Sequence, residues 1–253
     1  SMASLLNTLE DGHVNLYAPF DISSYKGWYT KYDTIFDLDL LNAKYLNQAR
    51  TAGGIQYQHL NDSVGYCYCS SFETAVSPNN WSYIIRSFMH CKALVLDIRH
   101  NGGGNIEYAK RLASGFTQED YSFGTWQHKS GSGHSDFSSP ETLWIKAADT
   151  GSKWLRPVIL LCDRQTYSAA NLLVNAMQYN PRCLIIGQTS GGGGGMPMSY
   201  ELPNGWIIRF SSIRMTDREG KSIENGIQPD VTVGKQTGHD TAIEKALEII
   251  TLL

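Results

Sequence analysis

Residues Leu161 to Gln178 read LCDRQTYSAANLLVNAMQ, and the fold class follows from this stretch and the residues around it. The apolar run Val158-Ile159-Leu160-Leu161-Cys162 has the continuous hydrophobicity of a strand buried on both faces. A polar turn follows, Asp163 to Tyr167. Ser168 then opens a segment with Ala169, Leu172, Leu173, Ala176 and Met177 at helical spacing. A serine at this junction sits where unpaired N–H groups and the positive end of a helix dipole converge. Its ordinary role there is to cap the helix. A nucleophile is the other role, and the rest of the chain has to decide between them.

The same strand–turn–helix pattern occurs earlier. Ala93 to Ile98 is a buried-strand run, Arg99 to Asn105 is a Gly-rich turn, and a helical pattern runs from Ile106 to about Phe116. Cys183 to Gly187 is a third apolar run. Amphipathic helices are expected over 37–50, 78–92 and 241–252. Hairpins are expected over 54–69 and over 198–213, the second turning at Asn204-Gly205. Strands alternating with helices imply an α/β fold built on parallel crossovers. Between these elements, 18–36 is an irregular aromatic-rich stretch and 121–139 is expected to be a polar flap. His13 falls at the corner between a short helix-like segment and an alternating run, His13 to Tyr17.

The 253 residues suffice for one large domain. A net charge of −3 with no basic stripe gives nucleic acid nothing to bind. No apolar run approaches membrane-spanning length. The five cysteines, Cys67, Cys69, Cys91, Cys162 and Cys183, form neither a disulfide framework nor a zinc pattern. The seven histidines are scattered, with no HExxH, so neither metal nor cofactor is expected.

The Gly-rich turn fails the GxGxxG template because Glu107 stands at the third glycine position. Gly102-Gly103-Gly104 can instead expose main-chain N–H groups to a substrate carbonyl, or simply make a tight turn. Ser168 is flanked by Thr166 and Ala170, so GxSxG is absent. A serine nucleophile needs a base. No lysine occurs between Ser168 and Lys221, which leaves a histidine as the default without choosing among the seven.

Four segments in order resemble the serine peptidase family of C-terminal processing proteases and tricorn core proteases. They are Leu9-Glu10-Asp11-Gly12-His13; LVLDIRHNGGG, 94–104, similar to "LDLRxNxGG"; TYSAANLLVNAM, 166–177, similar to the nucleophile segment; and IENGIQPDVTV, 223–233, similar to "GxxPDxxV". The resemblance implies a crotonase/Clp-like core, with ββα-type units around a mixed sheet. It implies a small N-terminal subdomain, 1–52, carrying the histidine, ahead of an α/β core, 53–253. In the processing-protease branch a lysine of "TxGKG" serves as base, but Gly192 stands at that position here. The tricorn-like branch implies Ser168 as nucleophile, His13 as general base and Glu224 as the group that orients or charges the network. It further implies Ala169 with Gly102 or Gly103 as oxyanion-hole donors.

This sequence departs from that branch at Gly12, where a serine is usual, and at Ala169, where an acidic residue is usual. No PDZ insertion fits between His13 and Gly53. The implied substrate is a peptide or unfolded protein, and the implied setting is the bacterial envelope after removal of an export signal. A base with the ordinary histidine pKa would lose activity near or below pH 6.5. Two rival readings are a non-catalytic binding module of the same fold, holding a small apolar ligand or peptide, and an acyl-CoA enzyme that uses the N–H pair without Ser168.

Overall fold

The computed structural model describes residues 2–148 and 151–253, so Ser1 of the expected segment 1–52 lies outside the described residues. In chain order, α1 (Met2–Asn7) is followed by β1 (Asn15–Ala18), β2 (Asp21–Ser24), α2 (Gly27–Thr30), α3 (Leu38–Lys44), β3 (Arg50–Ala52), β4 (Ile55–Asn61) and β5 (Val64–Tyr68). Next come α4 (Pro78–Ser87), β6 (Ala93–Asp97), α5 (Ile106–Ser114), β7 (Tyr121–His128), β8 (Glu141–Ile145), β9 (Val158–Cys162) and α6 (Ala169–Met177). The chain ends with β10 (Cys183–Gly187), β11 (Pro197–Glu201), β12 (Ile207–Ser211), β13 (Ile213–Asp217), β14 (Val231–Thr232) and α7 (Thr241–Thr251).

A mixed sheet of order β14-β10-β9-β6-β5-β4-β3 forms the centre. It is parallel from β14 to β5 and antiparallel beyond. The apolar runs become its middle strands because both faces are covered. Leu94, Leu96, Val158 and Leu160 point into the layer holding α4, α5 and α6. Val95, Ile159 and Leu161 point into the layer holding α3 and α7. Each such side chain contributes roughly 2 kcal/mol by leaving water. A second sheet, β11-β12-β1-β2, ties the N-terminal strands to the late hairpin, with Leu16 opposite Ile208. A third, β13-β7-β8, packs β7 against α6.

Several expectations change. The helix expected over 37–50 stops at Lys44, and Arg50–Ala52 pairs antiparallel with 55–57 as an edge strand. The flap expected over 121–139 is a paired strand as far as His128, with Phe123 fully buried. Its partners are distant in sequence, so local polarity hid it. Within the aromatic stretch 18–36, Asp21–Ser24 pairs with β1.

The signature 94–104 is anchored by charge. The Arg99 guanidinium, fully buried, donates to Asp97 Oδ1 at 2.9 Å and Oδ2 at 2.6 Å. It also donates to Asp240 at 2.8 and 2.9 Å. Asp240 in turn caps α7 through the Ile243 N–H, and the Tyr66 hydroxyl donates to Asp97 at 2.7 Å. Asp240→Ala leaves Arg99 paired with Asp97 alone, with the guanidinium hydrogens aimed at Asp240 unsatisfied, and uncaps α7, so urea unfolding should register a loss of about 2–4 kcal/mol. Glu248→Ala, which removes only the exposed partner of Lys245, should cost under about 1 kcal/mol.

Candidate active site

Strands β6 and β9 are neighbours and run parallel. Their C-terminal turns, 98–105 and 163–168, therefore lie side by side, the usual place for a site in a parallel sheet. Main-chain and side-chain bonds stitch the two turns together. Asp163 Oδ1 accepts from the His100 N–H at 2.9 Å and from Thr166 Oγ1 at 3.1 Å. The single Thr166 hydroxyl proton is shared between that carboxylate and the Ile98 carbonyl, 3.0 Å away, and the Tyr167 N–H donates to the Asn101 carbonyl at 3.0 Å.

These contacts hold Ser168 at φ +56°, ψ −121°, a conformation L-residues rarely adopt. Its side chain makes no capping hydrogen bond to α6. Ser168 Oγ lies 3.2 Å from His13 Nε2 instead. The two residues are 155 apart in sequence. His13 is delivered by the 11–13 turn just before β1. Its imidazole is 4% exposed and tilts against Tyr167 at 4.9 Å. Gly12 is tightly enclosed: a Cβ there would come within 2.5 Å of Trp28 Nε1 and 2.8 Å of the Tyr167 hydroxyl. That crowding accounts for the absence of a serine before the histidine.

Gly192, at the lysine position of the processing proteases, has φ +88°. A Cβ would stand 1.9 Å from the Glu224 carbonyl oxygen, while the Gly192 carbonyl accepts the Ser168 N–H at 2.9 Å. The backbone here packs between the nucleophile turn and the Glu224 segment, and leaves no room for a lysine.

Of the three expected oxyanion donors, the Gly103 N–H is engaged by Asn101 Oδ1 at 2.9 Å. Among the described residues, the N–H groups of Gly102 and Ala169 donate to no protein acceptor. Gly103 supplies space: its Cβ would meet Ser168 Cβ at 2.8 Å and Ala169 N at 3.0 Å.

Glu224 does not reach His13. It accepts the Gly195 N–H at 3.1 Å and sits among groups next to Asp11. Burial, and then the Asp11 charge, push its carboxyl up to about 7. Asp11, whose role the sequence left unassigned, accepts the His13 main-chain N–H at 2.7 Å. Its position in the quoted LEDGH segment was the available signal. Burial pushes the His13 imidazole down to about 4, against the opposing pull of Asp11 and with a smaller contribution from Arg209. The acid limit expected near pH 6.5 for an ordinary histidine thus moves well down.

A cleft of about 740 Å³ opens over Ser168, lined also by Ile106, Trp126, Leu172, Met215 and Arg209. A larger one, about 930 Å³, lies beyond Gly12, Trp28 and Tyr167, and takes in Asp11 and Glu224. Among the described residues no group of three His, Cys, Asp or Glu is placed to hold a metal ion, and all five cysteines are free thiols.

The model of peptidase family S41 matches residues 63–233. The chain belongs to peptidase family S41. A crystal structure of a candidate peptidase from Parabacteroides merdae superposes with a TM-score of 0.94 at 39% identity, covering 98% of this chain and 81% of that one. Carboxy-terminal processing protease CtpA of Bacillus subtilis is 25% identical over 141 residues, 55% of this chain. Mature CPAF shares the fold at a TM-score of 0.66 and 15% identity, covering 78% of this chain and 53% of that one. The chain spans 28–34% of the length of the first curated relatives it matches. Ser168 and Glu224 lie inside the S41 match, whereas Asp11 and His13 lie before it.

The two shifted groups oppose each other in stability. From about pH 4 to 6.5 the unfolded chain binds a proton at His13 that the native chain refuses, so this group makes stability rise with pH. From about 4.5 to 7 the native chain keeps a proton on Glu224 that the unfolded chain has lost, so stability falls. Between pH 4.5 and 6.5 the two slopes offset. Glu224→Gln should expose the His13 slope, and its urea stability relative to wild type should climb by about 1 kcal/mol per pH unit across that window.

Proposed function

We propose that this S41 chain hydrolyses peptide bonds through an acyl-enzyme, with Ser168 as nucleophile and His13 as general base. The observation that carries this reading is the 3.2 Å contact between His13 Nε2 and the oxygen of a serine held in a strained conformation with no capping bond. Ser168 Oγ attacks the substrate carbonyl as its proton passes to His13 Nε2. The N–H groups of Gly102 and Ala169 receive the oxyanion, with Gly103 keeping the approach open. His13 then protonates the leaving amine, and water repeats the sequence in reverse. Glu224 charges the network from its place beside the Gly195 N–H.

The substrate is a peptide or unfolded protein. The apolar lining around Ser168, from Ile106, Trp126, Leu172 and Met215, suits an extended chain with an uncharged side chain at the cleavage point. We assign the core to the crotonase/Clp-like type, with residues 1–52 as the part that delivers His13, and we place the protein in the tricorn-like branch. Export to the bacterial envelope fits this reading. No helix among the described residues is long and apolar enough to cross a membrane.

Digestion of a peptide library followed by mass spectrometry tests the assignment. Wild type should cleave, and Ser168→Ala and His13→Ala should each lose at least about 10³-fold in rate. Cleavage that survives in Ser168→Ala would refute the nucleophile and favour an enzyme that works through main-chain donors alone. With wild type, the acid limb attributable to His13 should fall near pH 4, below the usual histidine range.

A further inference from the structure

We propose that Asp11 is the carboxylate that positions His13 and stabilises its imidazolium, and that Glu224 acts through Asp11 and not on His13 directly. The inference rests on the reading of Ser168 and His13 given above, and it supplies the third member of that arrangement.

The geometry singles out Asp11. Its Oδ1 accepts the His13 main-chain N–H at 2.7 Å, which fixes the turn that aims the ring. The same oxygen lies 4.0 Å from His13 Nδ1. Nδ1 is buried and has no hydrogen-bond partner among the described residues, so this carboxylate is placed to accept a hydrogen bond from Nδ1–H with a small movement of the ring. Catalytic hydrogen bonds are often long without substrate and tighten when it binds. Asp11 is itself held on both sides. Ser211 Oγ, at the end of β12, donates to Oδ2 at 2.6 Å, and the Tyr167 hydroxyl donates to Oδ1 at 3.4 Å. The Tyr167 ring tilts against His13 and is stacked in turn by Trp28 at 4.1 Å.

Glu224 occupies a different place. Its carboxylate is bound by the Gly195 N–H, it lines the same cleft as Asp11, and the Asp11 charge helps to raise its pKa, with no bond from Glu224 to the imidazole. The charged groups that bear on His13 are Asp11, on its own turn, and Arg209, on β12, which opposes protonation. Ser168 and Tyr167, at the start of α6, are its remaining polar neighbours. Asp11 is thus the negative group adjacent to the base, and the absence of a serine at Gly12 is made good one residue earlier.

The test uses the whole chain and a fluorophosphonate probe that phosphonylates an activated serine, with intact-mass spectrometry as the readout. Asp11→Asn keeps an oxygen for the His13 main-chain N–H and removes the charge. It should label at least about 30-fold more slowly than wild type with an unchanged melting temperature. Glu224→Gln should slow labelling several-fold, and should add nothing in the Asp11→Asn background, because both act along one path. A ¹³C-edited NMR titration of the His13 ring gives a readout that a purely structural role would not move: the midpoint should fall in Asp11→Asn and stay in place in Glu224→Gln. Ser211→Ala, which loosens Asp11 without touching the turn, should slow labelling by about 3- to 10-fold.

Labelling of Asp11→Asn within about 3-fold of wild type, with the His13 midpoint unmoved, overturns the proposal and leaves the Ser168–His13 assignment standing. A midpoint that moves in Glu224→Gln overturns it in favour of Glu224. Unlabelled wild type, or labelled Ser168→Ala, overturns the underlying assignment itself.

Discussion

A backbone conformation that Ser168 would not choose by itself is the constraint on which the site depends. A non-glycine residue at φ +56°, ψ −121° costs of order 1–3 kcal/mol and persists only where its surroundings over-determine it. The surroundings here are main-chain bonds on three sides: Tyr167 to Asn101, Ser168 to Gly192, and Gly191 to Thr166. They come from two segments, the 98–105 turn and the glycine run at 191–192. The result turns Oγ away from the capping position of α6 and towards the open cleft. The side chain that would ordinarily cap α6 makes no such bond and lies 3.2 Å from His13 Nε2.

Two buried carboxylates hold the platform beneath that turn. Asp163 serves the main chain, gathering the N–H of His100 and that of Gln165. Asp97 serves Arg99, whose second partner, Asp240, begins α7. The LDIR part of the signature thus joins the Gly-rich turn electrostatically to a helix nearly at the end of the chain. Removing either carboxylate would leave buried guanidinium hydrogens without an acceptor, which is costlier than never having placed them there. The Gly-rich turn is further held by the Gly103 N–H on Asn101 Oδ1 and by the Phe72 N–H on the Gly103 carbonyl.

Strands β6, β9 and β10 were legible because their apolar runs are continuous and both faces are buried. Helices α4, α5 and α7 were legible from their apolar spacing. Strands β7 and β13 were not, since they pair with each other from far apart in sequence, His128 opposite Ile213, and β2 was not, since it is a short exposed edge strand within the aromatic stretch. Ser168 and Gly102 stood out locally as a junction serine and an exposed turn. The pairing of Ser168 with His13 needed the family resemblance, because nothing in composition links residues 155 apart. Asp11 went unassigned because its role comes from the curl of the chain through Gly12. The low His13 pKa went unread because burial is a property of the folded chain.

That low pKa bears on how the site works. A histidine pushed down to about 4 is neutral, and so ready to accept a proton, throughout the neutral range. The same burial makes it a reluctant acceptor, because the imidazolium has little water around it. Under the proposed mechanism the two charges created by attack would have to offset each other, the imidazolium forming only as an oxyanion forms at the Gly102 and Ala169 N–H groups. Asp11 tips this balance towards the charged state, Arg209 tips it back, and Glu224, poised to titrate at about 7 beside Asp11, sets how much negative charge stands behind the base. In a site of that kind the electrostatic support would be expressed chiefly when the transition state demands it.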